Sequence, residues 1–101
     1  MRLDSRILRQ VQQQQEQMMQ DLAGRTVEVT VGGGAVRLVM NGQQEVQELA
    51  IAPEVVDPNE VEMLQDLLIA AFNEGVARSR ELAEERMKAL LQSLGLPGLR
   101  R

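Results

Sequence analysis

The sequence predicts an α+β fold in a single domain, residues 1–101, with the order helix, three-stranded antiparallel meander, long helix. Three observations carry the prediction. Apolar residues recur at spacings of three and four between Leu8 and Leu22. Residues 26–31 and 35–40 alternate between two faces on either side of a triple glycine. From Val61 the helical spacing returns and runs on to Leu94.

In the first element, Leu8, Val11, Gln15, Met18 and Leu22 form a narrow seam with one polar break, so residues 5–22 read as a helix. Asp4 or Ser5 can cap it and Gly24 stops it, which makes 1–24 the N-terminal helical segment. So thin a seam suits either a helix packed on its own domain or a projecting arm. The meander occupies 25–52. Val27, Val29 and Val31 share one face of the first strand, and Val36, Leu38 and Met40 share one face of the second. Asn41-Gly42 predicts a two-residue type I′ hairpin, which requires positive φ at both positions. The third strand, 45–51, turns Leu49 and Ile51 inward, and Val46 falls out of step with them, which predicts a bulge or a late start.

Pro53 ends the sheet. Asp57 as N-cap, Pro58 at the first helical position and Glu60 closing a capping box predict the start of the second helix, which takes 57–94 and leaves 95–101 as a tail. Residues 58–93 would span ~54 Å at 1.5 Å per residue, more than the width of a small domain. Its first half is apolar enough to cover the sheet. Its second half, from Arg78 on, is mostly charged and must leave the body or pair with another helix. Gly75 is a weak spot there, costing ~1 kcal/mol relative to Ala. The open strand edges and the helical seams invite a second copy, so the expected assembly is a homodimer.

Composition excludes most chemistry. There is no Cys, His, Trp or Tyr and only one Phe. That removes disulfides, thiolate zinc sites, the commonest general base and any aromatic platform for unpaired bases. Gly32-Gly33-Gly34 joins strand to strand, without the spacing or the Lys-Ser/Thr end of a phosphate cradle, and reads as a hairpin loop. The acids Glu54, Asp57, Glu60, Glu62 and Asp66 read as caps and a solvated helix face. Ser5, Ser79 and Ser93 have no nucleophile-elbow context, and Lys88 sits among charges. The expectation is therefore no enzyme, no cofactor, no metal and no small-molecule substrate. The longest apolar run, Leu67 to Phe72, is far too short for a bilayer, and no leader-like segment is visible, so a soluble cytoplasmic protein without a membrane partner is expected.

The net charge of −4 hides an asymmetry. Residues 1–10 carry +2, residues 11–75 carry −9 and residues 76–101 carry +3. If the two helices lie side by side, Arg2, Arg6 and Arg9 meet the region Arg86 to Arg101 at one far tip, net positive and remote from an acidic body, and a dimer would have two such tips. Arg forks suit phosphates, and the acidic body would repel DNA elsewhere. The candidate DNA-binding residues are Arg2, Arg6, Arg9, Arg78, Arg86, Lys88, Arg100 and Arg101. Glu81, Glu84 and Glu85 stand at helical spacing to pair with Arg78, Arg86 or Lys88, which is the competing reading. A second functional reading is a protein–protein adaptor that docks a partner helix through Leu90, Leu91 and Leu94.

Over nearly its whole length the chain resembles the YbaB/EbfC family of bacterial nucleoid-associated DNA-binding proteins. The matching stretches are Gly32-Gly33-Gly34 followed by Val36, Asn41-Gly42, and Ile51-Ala52-Pro53-Glu54-Val55-Val56-Asp57. They continue with Leu64-Gln65-Asp66-Leu67, Ala70-Ala71-Phe72-Asn73 and Leu96-Pro97-Gly98. The departures are Ala52, where the family often has an acid, Glu74-Gly75 in place of an Asp-Ala pair, and Arg at positions where the family often has Lys. The resemblance implies a helix–strands–helix protomer and a homodimer with projecting helical arms. It also implies duplex DNA binding in the nucleoid, a part in nucleoid organisation and gene regulation, and no enzymatic activity.

Overall fold

The computed structural model describes residues 4–95. Helix α1 spans Ser5–Gly24, followed by strands β1 (Thr26–Val31), β2 (Val36–Asn41) and β3 (Val46–Ile51). A short 3-10 turn, Pro53–Val55, leads to helix α2, Val61–Ser93. The sheet is an antiparallel meander in the order β1-β2-β3. The predicted α+β class and element order hold.

Paired residues fix which side chains share a face. Val29 opposes Leu38 and Leu38 opposes Leu49, so the alternating apolar residues of all three strands lie on one side. Between β2 and β3 the register shifts: Val39 pairs with Glu48 and Met40 with Val46. Gln47 is therefore the extra residue of a bulge, and the bulge brings Val46 back onto the apolar face. The other side of the sheet is polar. There Arg37 bridges Glu28 on β1 and Glu48 on β3, at 3.1 and 3.0 Å.

Helix α2 lies on the apolar side. Val29, Val36, Leu38, Met40 and Ala71 form the buried core, with Leu64, Leu67, Leu68 and Val76 packed around it. The residues of α2 buried against the sheet are Ala71, Gly75 and Ser79, a stripe of small side chains four apart. They let the helix backbone come close. A Cβ at Gly75 would lie 2.6 Å from Leu38 Cδ2. Gly75 is thus a close-approach position; the ~1 kcal/mol propensity cost is the smaller part of its story.

Three local expectations change. Helix α2 starts at Val61, not at the Asp57 capping box. Asp57 does cap, but it caps a turn: its Oδ1 accepts from Asn59 N at 2.9 Å and its carbonyl accepts from Glu60 N at 2.9 Å. The β2–β3 hairpin is a three-residue loop, with Asn41 N donating to Glu45 O and Gln44 N to Asn41 O. The left-handed residue is Gln44 at φ 65°, and neither Asn41 nor Gly42 has positive φ. Leu49, though on the inner face, remains 42% exposed, because α2 packs on β1 and β2 and leaves β3 uncovered.

The molecule measures 64 × 26 × 20 Å, with a radius of gyration of 18.7 Å. A compact chain of this length would have a radius of about 13 Å. The excess comes from the helices: α2, with 33 residues, is ~50 Å long at 1.5 Å per residue, and its distal half leaves the sheet. No described helix is long and apolar enough to cross a membrane.

Candidate nucleic-acid interface

Asp4 starts the α1 arm, its Oδ1 accepting from Arg6 N at 3.0 Å. From Asp4 to Gln17 every residue of the arm is exposed. The buried residue of α1 is Leu22, at the last turn. Of the two readings left open by the thin seam, the projecting arm is the one found. Ile7, Leu8 and Val11 are 46–47% exposed along it.

The arm is held at its base by the β2–β3 loop. Gly42 N donates to Leu22 O at 2.8 Å, and a Cβ on Gly42 would lie 2.9 Å from that same oxygen. Asn41 is the hub of this junction and is 1% exposed. Its Nδ2 donates to Ala23 O and to Glu45 Oε1, and its Oδ1 accepts from Gln43 N and Glu45 N. Its carbonyl accepts from Ser79 Oγ at 2.8 Å, which ties the same loop to α2. Every polar atom of the Asn41 side chain is engaged, so its burial costs little.

The structure divides the candidate residues. Arg6 and Arg9 are exposed on the free part of α1, three apart and hence on one flank. Lys88 is exposed on distal α2, and so is Arg80, which the sequence reading counted in the charge but did not single out. Among the described residues no carboxylate lies within 4.0 Å of these four cations. Arg78, by contrast, belongs to the body and not to a basic tip. Its Nε donates to Glu74 at 3.0 Å and its Nη1 to Glu28 O on β1 at 2.8 Å. Arg86 lies at the base of the arms, 2.8 Å from Asp21 Oδ2. The partners Glu81, Glu84 and Glu85 are not the ones used: Glu74 and Asp21 are. The Arg78 pairing was readable from its i−4 glutamate, whereas Arg86–Asp21 needs the tertiary fold. Arg2, Arg100 and Arg101 lie outside the described residues.

Electrostatically, the body is the acidic half. Between Arg37 and Arg78 the chain carries eight carboxylates and no Lys or Arg. Two carboxylates are pulled below the ordinary range by arginine: Asp21, chiefly through its bond from Arg25, and Glu28, through its bond from Arg37. The sole aromatic side chain, Phe72, is on α2, so the arms carry nothing on which an unpaired base could stack.

The described residues thus form a small sheet backed by one helix, with two helical arms that carry exposed cations. The chain belongs to the YbaB/EbfC DNA-binding family, whose model matches residues 3–94. It is 46% identical over 97 residues to a nucleoid-associated protein of Ruminiclostridium cellulolyticum, covering 92% of this chain and 84% of that one. It is 51% identical over 90 residues to a nucleoid-associated protein of Chloroflexus aurantiacus, covering 89% and 88%. Its fold matches the crystal structure of an uncharacterized protein from Helicobacter pylori, with a TM-score of 0.63 at 24% identity, over 87% of this chain and 98% of that one.

Proposed function

We propose that the protein is a nucleoid-associated, non-enzymatic protein of the cytoplasm that binds duplex DNA as a homodimer, chiefly through phosphate contacts from its arms, and thereby takes part in nucleoid organisation and gene regulation. The observation that carries this reading is the separation of charge. Arg6 and Arg9 stand unpaired on an exposed arm, while the carboxylates gather on the body. Family membership and the names of the two relatives point the same way. Contacts to phosphate position a protein without reading sequence.

The dimer reading is supported by an uncovered apolar surface. Val46 and Leu49 on β3 are 44% and 42% exposed. Arg78 reaches β1 and Leu67 reaches Gly32 just past its end, so the opposite flank of α2, with Ile69 and Phe72, faces the β3 side. A second copy placed there would cover the open edge of β3 as well. Light scattering at micromolar concentration should give twice the 11.3 kDa chain mass; a monomer mass would refute the dimer.

The DNA reading is tested by a salt series on two unrelated duplexes. Affinity should fall with similar slope on both, by about 0.9 log units per log unit of salt for each phosphate neutralised. The exposed seam of Ile7, Leu8 and Val11, with Leu94 on α2, favours a second reading as a protein–protein adaptor. Absence of duplex affinity, together with a stoichiometric protein partner that survives nuclease, would establish the adaptor and sink the DNA reading.

A further inference from the structure

Helix α1 is pinned to the body at one place. Leu22 O and Ala23 O accept from Gly42 N and Asn41 Nδ2, and Met19 O accepts from Gln43 Nε2, all within the last turn and a half of the helix. A rod held at one end can still swing. The loop contacts hold that end to one element; its direction needs a contact to a second, and the structure has one within the same segment: Asp21 Oδ2, 2.8 Å from Arg86 Nε on α2. On either side of this pair the two helices together line an open groove, and Met18, half-buried, borders both. One groove is lined by Gln12, Gln15, Met18, Met19 and Met87, the other by Gln14, Gln17, Ala89, Leu90 and Ser93. Among the described residues, Asp21–Arg86 is the ion pair that crosses between α1 and α2.

The pair is built for that place. Arg86 Nε has no exposure to solvent, and its N–H is not aligned with any acceptor. It depends on the Asp21 charge rather than on an aligned hydrogen bond. Arg25 Nε donates to the same carboxylate oxygen at 2.9 Å from one turn along the chain, so Asp21 is oriented before it meets Arg86.

We infer that Asp21 is a positioning residue for DNA binding: by holding Arg86 it fixes the angle of the α1 arm, and with it the place of Arg6 and Arg9 relative to the cations of distal α2. This rests on the proposed DNA function. The lever is long. Fifteen residues separate Asp21 from Arg6, or ~22 Å of helix. Each ~10° of swing then moves Arg6 by ~4 Å, about the rise of one base pair. An arm free to swing must be ordered again on DNA, at a cost in affinity.

The effect of removing Asp21 has an unusual sign. Removing a carboxylate from a DNA-binding protein ordinarily tightens binding. Asp21→Asn should instead weaken it, by about fivefold at low salt, through lost preorganisation. The chain has no Cys, so Gln10→Cys with Gln92→Cys accepts two spin labels uniquely, and dilution with unlabelled protein isolates the distance within one protomer. Pulsed EPR on the full chain should give a narrow distance in the parent, a broad one in Asp21→Asn and Arg86→Ala, and a narrow one in Asp21→Glu. Thermal unfolding checks that each variant is folded. An unchanged distance in Asp21→Asn, or tighter DNA binding by it, overturns the inference. A broadened distance with unchanged affinity also overturns it, since the bridge would then set the arm without serving DNA. If the parent itself does not bind duplex DNA, the functional reading fails, and the distances alone decide whether the bridge directs the arm.

Discussion

Leu38 and Leu8 are the same type of residue in two opposite settings of one chain. Leu38 is fully buried between the strands and α2; Leu8 is 46% exposed on the α1 arm. The body, from β1 to Ser79, is an ordinary small core in which apolar side chains interdigitate and the one buried polar hub is satisfied. Among the described residues the arms have no fully buried side chain before Leu22 on α1 or beyond Ser79 on α2; α1 is attached at residues 19–23, and distal α2 continues the helix of the body. The body fixes the fold, and the arms carry the exposed cations that the proposed function places on DNA.

The sharpest way to break this comparison is to make one substitution in both regions. Leu38→Ala should cost about 3 kcal/mol in urea unfolding, through lost burial and a cavity, whereas Leu8→Ala should stay within about 0.5 kcal/mol in the monomer-equivalent stability. Equal costs would show that the arm is packed after all. Next comes Gly75→Val, which drives a branched side chain into Leu38 and should cost about 2 kcal/mol, read by thermal or chemical unfolding. Asn41→Ala leaves the loop amides and Ala23 O without their partner and should cost about 2 kcal/mol while loosening α1, seen as faster amide exchange in its last turn. The smallest effect depends on pH. Asp21 and Glu28 are held below their ordinary values by arginine in the folded state. Their contribution is fully present above the unfolded value of about 4 and disappears as pH falls through the lower folded values. Arg37→Ala should therefore flatten part of the acid limb, with a small loss of stability at neutral pH and little change in acid, read by chemical unfolding across a pH series.

Much of the body could be read from residues alone. Period-two alternation in Val27–Val31 and Val36–Met40 determines the faces, and the misplaced Val46 signals the bulge. The misreadings have physical causes. Asp57-Pro58-Asn59-Glu60 satisfies the pattern of a capping box, but the same side chain can cap a turn just as well, and only the backbone decides. Asn41-Gly42 suggests a tight two-residue hairpin because that is its commonest local use. Here Leu22, from another element, presses on Gly42, and the amide of Asn41 is drawn inward to Ala23. Gly75 looks weak on a propensity scale, since the scale knows nothing of Leu38 opposite. The arginines were legible as a count but not as partners. Arg78 could be given away by Glu74, while Arg86 waits on Asp21, which only the fold brings near.

The claim that the arms, not the body, meet DNA has a direct measurement: the slope of log affinity against log salt for three forms of the chain on one duplex. Relative to the parent, Arg6→Ala with Arg9→Ala should lower that slope by about 1.8 per protomer engaged, in keeping with two phosphates released. Arg78→Ala, which removes a cation bound to Glu74 and to β1, should leave it unchanged. A reversed result, with the slope falling for Arg78→Ala and holding for the arm pair, would contradict the account.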